Sequence, residues 1–216
     1  MWIMEYEVLK NGEGKITEKK SVFIGAIASV HSEEEALAFV AEKKKEHYDA
    51  RHNCFAYLIG DHHEILRSSD DGEPSGTAGR PMLDVLMGAN VHNVCAVVTR
   101  YFGGVLLGTG GLVRAYTKAT EEGLQACTLL ERHVGAHLSL DIDYGLLGKV
   151  QYLLNEKKIY IADSAYSDRV VFDVYVDEEE AEPLKKELIN QTNAQIKIEE
   201  IERCSYGIAD GELIRF

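Results

Sequence analysis

This chain is short of basic residues, of long apolar runs and of closely spaced cysteines, and each shortage excludes a class of protein. Lys and Arg number 23 against 36 Asp and Glu, a formal charge of −13. Tracking a nucleic-acid backbone by general electrostatics needs a basic face, so no DNA partner is expected. No stretch approaches the roughly 18 consecutive apolar residues of a membrane helix. The first residues, MWIMEYEVLKNGEGK, carry acids early and lack a basic segment followed by an apolar one, so no signal peptide is expected and a cytoplasmic location is the default. Cys54, Cys95, Cys127 and Cys204 form no C-x-x-C pair, and most sit in apolar runs. Buried reduced thiols fit that spacing better than a disulfide framework or a zinc site.

What is present is glycine, concentrated in two segments. The first, residues 67–81, reads RSSDDGEPSGTAGRP; the second, residues 99–116, reads TRYFGGVLLGTGGLVRAY. A β-branched and aromatic run over 94–102 predicts a buried strand ending at Gly103-Gly104. Gly108, Thr109, Gly110 and Gly111 then lead into a predicted helix over 112–130. A strand, a glycine loop and a helix N-terminus make a candidate anion site, because unpaired N–H groups and the helix dipole point there. Arg100 and Arg114 flank the loop, and Lys118 lies one turn further on. Neither the P-loop pattern nor a dinucleotide fingerprint occurs.

In the first segment Asp70, Asp71 and Glu73 stand beside Ser75 and Thr77. Three acids within four residues admit two readings: oxygen ligands for Mg²⁺, or a solvated turn with an Asx-type hydrogen bond and Pro81 opening the next helix. With a short helix over 81–89 and a strand between them, both segments are expected at one end of a sheet, and His52 and Asn53 can join them from the start of their own strand. Cys54 after His52 invites a nucleophile-and-base reading, though no orienting acid is evident. From 67 to 118 the net charge is +1, a basic-leaning patch suited to one localised phosphate contact.

The strings DDGEPSGTAG and TRYFGGVLLGTGGLVRAY resemble the two signature segments of the Impact family, whose bacterial members are the YigZ-like proteins. KKSVFIG at 19–25 and RHNCFAY at 51–57 are similar to its earlier blocks, so the resemblance spans the chain. It implies an α+β protein of two domains. The first, 1–135, would have the left-handed β-α-β topology of some ribosomal proteins, a domain of elongation factor G and the GHMP-type small-molecule kinases. The second, 136–216, would be ferredoxin-like and resemble the last domain of elongation factor G. Eukaryotic members add an N-terminal RWD domain, for which these residues leave no room, so their restraint of an initiation-factor kinase through its activator is not carried over.

Local pattern supplies the remaining elements. Residues 6–9 read as a strand, 11–14 as a turn and 15–30 as a strand. Ser32 with Glu35 makes a capping box, opening a helix with Leu37, Val40, Ala41 and Tyr48 as its buried stripe and a solvated lysine run at 43–45. Strands over 54–59 and 64–69 form a hairpin whose turn holds His62 and His63, read as exposed turn residues and not metal ligands. Beyond 136 the order is strand 136–143, helix 146–156, strand 159–166, strand 169–176, helix 178–190 and strand 195–202. That is the split β-α-β-β-α-β order, with Leu146, Val150, Leu153, Leu154, Leu184 and Leu188 as core stripes.

The function expected is a non-catalytic binding protein that contacts RNA phosphate or a ribosome-associated partner and regulates translation. Arg100, Gly103, Gly104, Gly108, Gly110, Gly111 and Arg114 are its anion contacts, and no bound cofactor is required. Two alternatives stand beside it: an enzyme acting on a phosphorylated small molecule with Mg²⁺ on the acidic loop, and a protein-interaction scaffold.

Overall fold

The computed structural model describes residues 4–216, so the first three residues of the predicted N-terminal domain lie outside the described residues. The chain is α+β and divides into two compact units at Glu131 and Arg132, just before the 135/136 boundary that the resemblance implies.

The first unit is built on a five-stranded antiparallel sheet. Its strands are β2 (Gly12–Glu18), β3 (Ser21–Ser29), β4 (His52–Ile59), β5 (Ile65–Ser69) and β7 (Val94–Tyr101), in the order β2-β3-β7-β4-β5. β1 (Glu5–Lys10) pairs in parallel with β6 (Val91–His92) beside it. Both β3 and β4 run antiparallel to β7, which lies between them, so the helix joining them, α1 (Glu33–Glu46), closes a β-α-β unit. The strand β7 is buried on both faces, as its unbroken apolar run requires. Val94, Ala96 and Val98 face α2 (Gly79–Gly88) and α3 (Thr109–Gln125), while Cys95 and Val97 face α1.

Several local expectations need correction. Of the residues read as a turn at 11–14, Gly12, Glu13 and Gly14 belong to β2 and Asn11 alone separates it from β1; the turn into β3 is Lys19-Lys20, both with positive φ (45° and 68°). Gly12 and Gly14 serve close approach, since a Cβ would meet Cys127 N at 2.5 Å and Glu122 C at 2.4 Å at the end of α3. Ser32 caps α1 as expected, its Oγ accepting from Glu35 N at 3.2 Å, but the return bond of the capping box shifts by one residue, with Glu35 Oε2 accepting from His31 N at 2.7 Å and not from Ser32 N. Its buried stripe, however, is Ala36 and Val40, while Leu37 is half exposed and Tyr48 almost wholly so, because α1 covers only the small patch around Tyr57, Cys95 and Val97. The helix α3 ends at Gln125, and residues 128–130 open β8 (Thr128–Ile142) instead.

The second unit has the predicted ferredoxin-like order. β8, α4 (Leu147–Glu156), β9 (Tyr160–Tyr166), β10 (Val170–Asp177), α5 (Glu178–Gln191) and β11 (Lys197–Ala209) follow in turn, and the four strands pair antiparallel in the order β9-β10-β8-β11. β11 runs seven residues past the expected end at 202 and turns into a further strand, β12 (Glu212–Arg215). Leu138, Leu140, Ile142, Phe172 and Val174 face Val150, Leu154, Leu184 and Leu188 in one apolar core. Leu146, expected in the stripe, packs only partly buried at its edge. At about 1.5–3 kcal/mol for each large side chain, that burial is what holds the helices to the sheet.

Candidate functional site

The end of β7 and the start of β4 are neighbours, with Arg100 opposite His52 and Thr99 opposite Asn53. Antiparallel pairing thereby brings both glycine-rich segments to one end of the sheet. The acidic segment leaves β5, which pairs with β4, and the second segment leaves β7. Arg51, His52, Glu73, Arg100, Phe102 and Leu106 line a pocket of about 260 Å³ there.

Each acid of the first segment holds a different partner. Asp70 accepts from the backbone N–H groups of Gly76 at 2.8 Å and of Ala78 and Gly79 at 2.9 Å, so it caps α2 from eight residues upstream. Burial opposes its ionised form, but those three donors outweigh it and hold the carboxyl below the usual range. Asp71, with φ at 41°, accepts from Lys44 Nζ and from Asn53 N, each at 2.7 Å, and its own carbonyl meets His52 Nδ1 at 2.9 Å. Here too burial is overcome by the donors, Lys44 first, and the carboxyl lies below its ordinary value. Glu73, its side chain only 3% exposed, accepts from Arg100 Nη1 at 2.5 Å and from the Tyr116 hydroxyl at 2.9 Å. Spread over those partners, the three carboxylates form no common oxygen cage, and among the described residues no cluster of three His, Cys, Asp or Glu side chains has metal-binding geometry.

Several other candidates serve the loops themselves. The Thr77 hydroxyl donates to Pro74 O at 2.7 Å and is buried, whereas Ser75 is exposed. Asn53 Oδ1 accepts from the Thr99 hydroxyl at 2.6 Å. Cys54 is fully buried, its Sγ donating to Asp70 O at 3.0 Å, and burial pushes the thiol up to about 12; such a thiol is a poor nucleophile. The lysine run is not wholly solvated, since Lys44 ties α1 to the acidic loop.

In the second segment Gly103 leaves the anion set. Its N–H donates to Ser21 Oγ at 3.0 Å, and a Cβ there would lie 2.0 Å from Lys20 C, so it is a packing glycine. Gly104 and Gly108 have positive φ (82° and 72°) and open space around them, and Gly108 stands at the N-cap of α3 without a capping side chain. Gly110 lies in the first turn of α3, 3.7 Å from Arg114 Nη1 as measured to where its Cβ would be, while Gly111 packs on Leu107. The helix start therefore presents its first-turn N–H groups beside an exposed Arg114. Arg100, by contrast, is 8% exposed and already paired. Its guanidinium sits 5.5 Å from the Phe23 ring centroid and 5.6 Å from that of Phe102, and its Nε is buried without a hydrogen-bond partner. Pattern reading gave Arg51, Phe102, Leu106 and Tyr116 no role in the site, although all four lie inside the quoted strings.

Two family models match: the Impact N-terminal domain over residues 19–124 and a domain of unknown function, DUF1949, over 140–195. The IMPACT family member YvyE of Bacillus subtilis is 43% identical over 195 residues, covering 90% of each chain. The chain belongs to the IMPACT family. The YigZ member of Escherichia coli is likewise 43% identical, over 72% of this chain and 78% of its own. A solved structure described as a hypothetical protein aligns with 94% of this chain and 99% of its own at a TM-score of 0.59 and 35% identity. In this IMPACT family member the Impact N-terminal match contains both glycine-rich segments, and the pocket lies wholly inside it.

Proposed function

We propose that this IMPACT family member is a non-catalytic binding protein that takes a phosphate of single-stranded RNA at the pocket and regulates translation through a ribosomal contact. The observation that carries the reading is the convergence of the two segments. Arg51 and His52 supply cationic or donor groups, Phe102 and Leu106 supply an exposed apolar wall, and the open N-terminus of α3 with Arg114 lies on the same loop. Unpaired bases stack on exposed aromatic rings, and phosphate is held by helix N-termini and guanidinium groups. A charge of −13 confines such binding to one local contact. Against catalysis stand the raised thiol of Cys54 and the engagement of Asp70, Asp71 and Glu73 with structural partners.

Anisotropy titrations with a short single-stranded RNA, at several salt concentrations, test this reading. Arg114→Ala should weaken binding and reduce the salt slope by about one, with a change in stability within about 0.5 kcal/mol. Unchanged affinity in both Arg51→Ala and Arg114→Ala would remove the site. Ribosomes that bind the protein while RNA does not would point to a protein partner, and Mg²⁺-dependent turnover of a phosphorylated metabolite would favour an enzyme.

A further inference from the structure

A different face of the first unit carries a second feature. α2 and α3 pack side by side on one face of the sheet, burying Met82, Leu86, Leu112 and Tyr116. On their outer side they leave a groove of about 670 Å³, whose lining includes Val85, Gly88, Val113, Thr117 and Leu124. Two valines, a threonine and a glycine are weak helix formers, so helix propensity does not explain their place on the outer side of these helices.

Gly88 is the informative residue. The left-handed position that ends α2 falls on Asn90, with φ at 52°, and Gly88 has no positive φ. A Cβ at Gly88 would meet nothing within 4 Å, so neither conformation nor packing inside the chain requires glycine there. What a side chain would do is fill the groove.

The groove also carries charge. Asp84 and Glu121 both line it; Asp84 is held by Arg80 at 2.8 Å in an exposed pair, and Glu121 is exposed. A second copy of this chain docked by the same groove would set its own Asp84 and Glu121 against this rim, which disfavours self-association. We infer that the α2/α3 groove is a docking site for an amphipathic helix of a protein partner, seating an apolar stripe between the valines and placing basic residues against Asp84 and Glu121. A helix laid along α3, about 25 Å long, would complete a three-helix layer over the sheet.

The probe is a designed Leu/Lys helical peptide as long as α3, with Leu at i, i+3, i+4 and i+7, titrated by anisotropy against the full chain. A Leu/Glu peptide of the same pattern is the charge control. Wild type should bind the Leu/Lys peptide and not the Leu/Glu one. Gly88→Leu leaves the charge unchanged and should weaken binding about tenfold or more, and Glu121→Lys should weaken it as well. Gly88→Ala should raise Tm, since alanine is the better helix former. Equal binding by Gly88→Leu would overturn the proposal, because attraction to an acidic surface alone would then explain it. So would a lowered Tm in Gly88→Ala, or a dimer in sedimentation equilibrium that Gly88→Leu dissolves.

Discussion

The two units are stabilised by different means. Ten of the twelve buried polar side chains among the described residues precede Arg132, including Glu73, Arg100, Asn53 and Thr99. The second unit is held by an almost wholly aliphatic core around Phe172, and its polar interactions lie mostly at the surface. A buried polar network specifies one arrangement, at the cost that losing any member strands its partner in a low dielectric. An apolar core tolerates substitution more evenly. The unit with the candidate site is therefore the one whose geometry is most tightly determined and most easily broken.

The strongest test of that contrast is Glu73→Leu. It leaves the buried Arg100 without its carboxylate, and a loss of about 3–5 kcal/mol confined to the first unit is expected in urea unfolding followed by probes in each unit. The double variant Glu73→Leu/Arg100→Met should recover much of that loss; failure to do so would mean that the ion pair itself, not the stranded charge, was the source. Next come paired glycine substitutions. Gly14→Ala forces a Cβ onto the α3 backbone and should cost about 1–3 kcal/mol, whereas Gly148→Ala in α4, where a Cβ meets nothing within 4 Å, should stabilise by up to about 1 kcal/mol. The same sign at both positions would erase the distinction.

A smaller effect follows from the cap on α2. Asp70→Ala should cost about 0.5–2 kcal/mol. Because the folded carboxyl lies below its unfolded value near 3.9, its contribution is complete above roughly pH 4 and is lost as pH falls through that value toward the folded one. Thermal melts between pH 6 and pH 3, in about one-unit steps, should therefore show wild type losing stability faster than Asp70→Ala below about pH 4. Parallel profiles would remove Asp70 from the role.

The second unit was legible because each of its elements announces itself locally. Val150, Leu153 and Leu154 repeat at helical spacing, the strands alternate, and the β-α-β-β-α-β order leaves one familiar sheet arrangement. The first unit was legible where the same rules apply, as at Ser32 and Glu35 or in the run of β7. It was misread where glycine served tertiary packing: Gly12 and Gly14 look like a turn until α3 is seen against them, and Gly103 looks like an anion loop until Lys20 is seen beneath it.

By itself, then, the sequence determined the family, through the strings that resemble its signature segments, and with it the two-domain α+β architecture; the end of the sheet at which the glycine-rich segments fall followed from periodicity and composition, which are local quantities. Only the tertiary structure decided which groups those segments spend on holding themselves together. Asp70 faces N–H groups up to nine residues away, Asp71 meets Lys44, and Glu73 meets Arg100 and Tyr116. Charge, hydrogen bonding and burial between residues far apart in sequence have no periodicity to read, and they emerge only when the chain closes on itself.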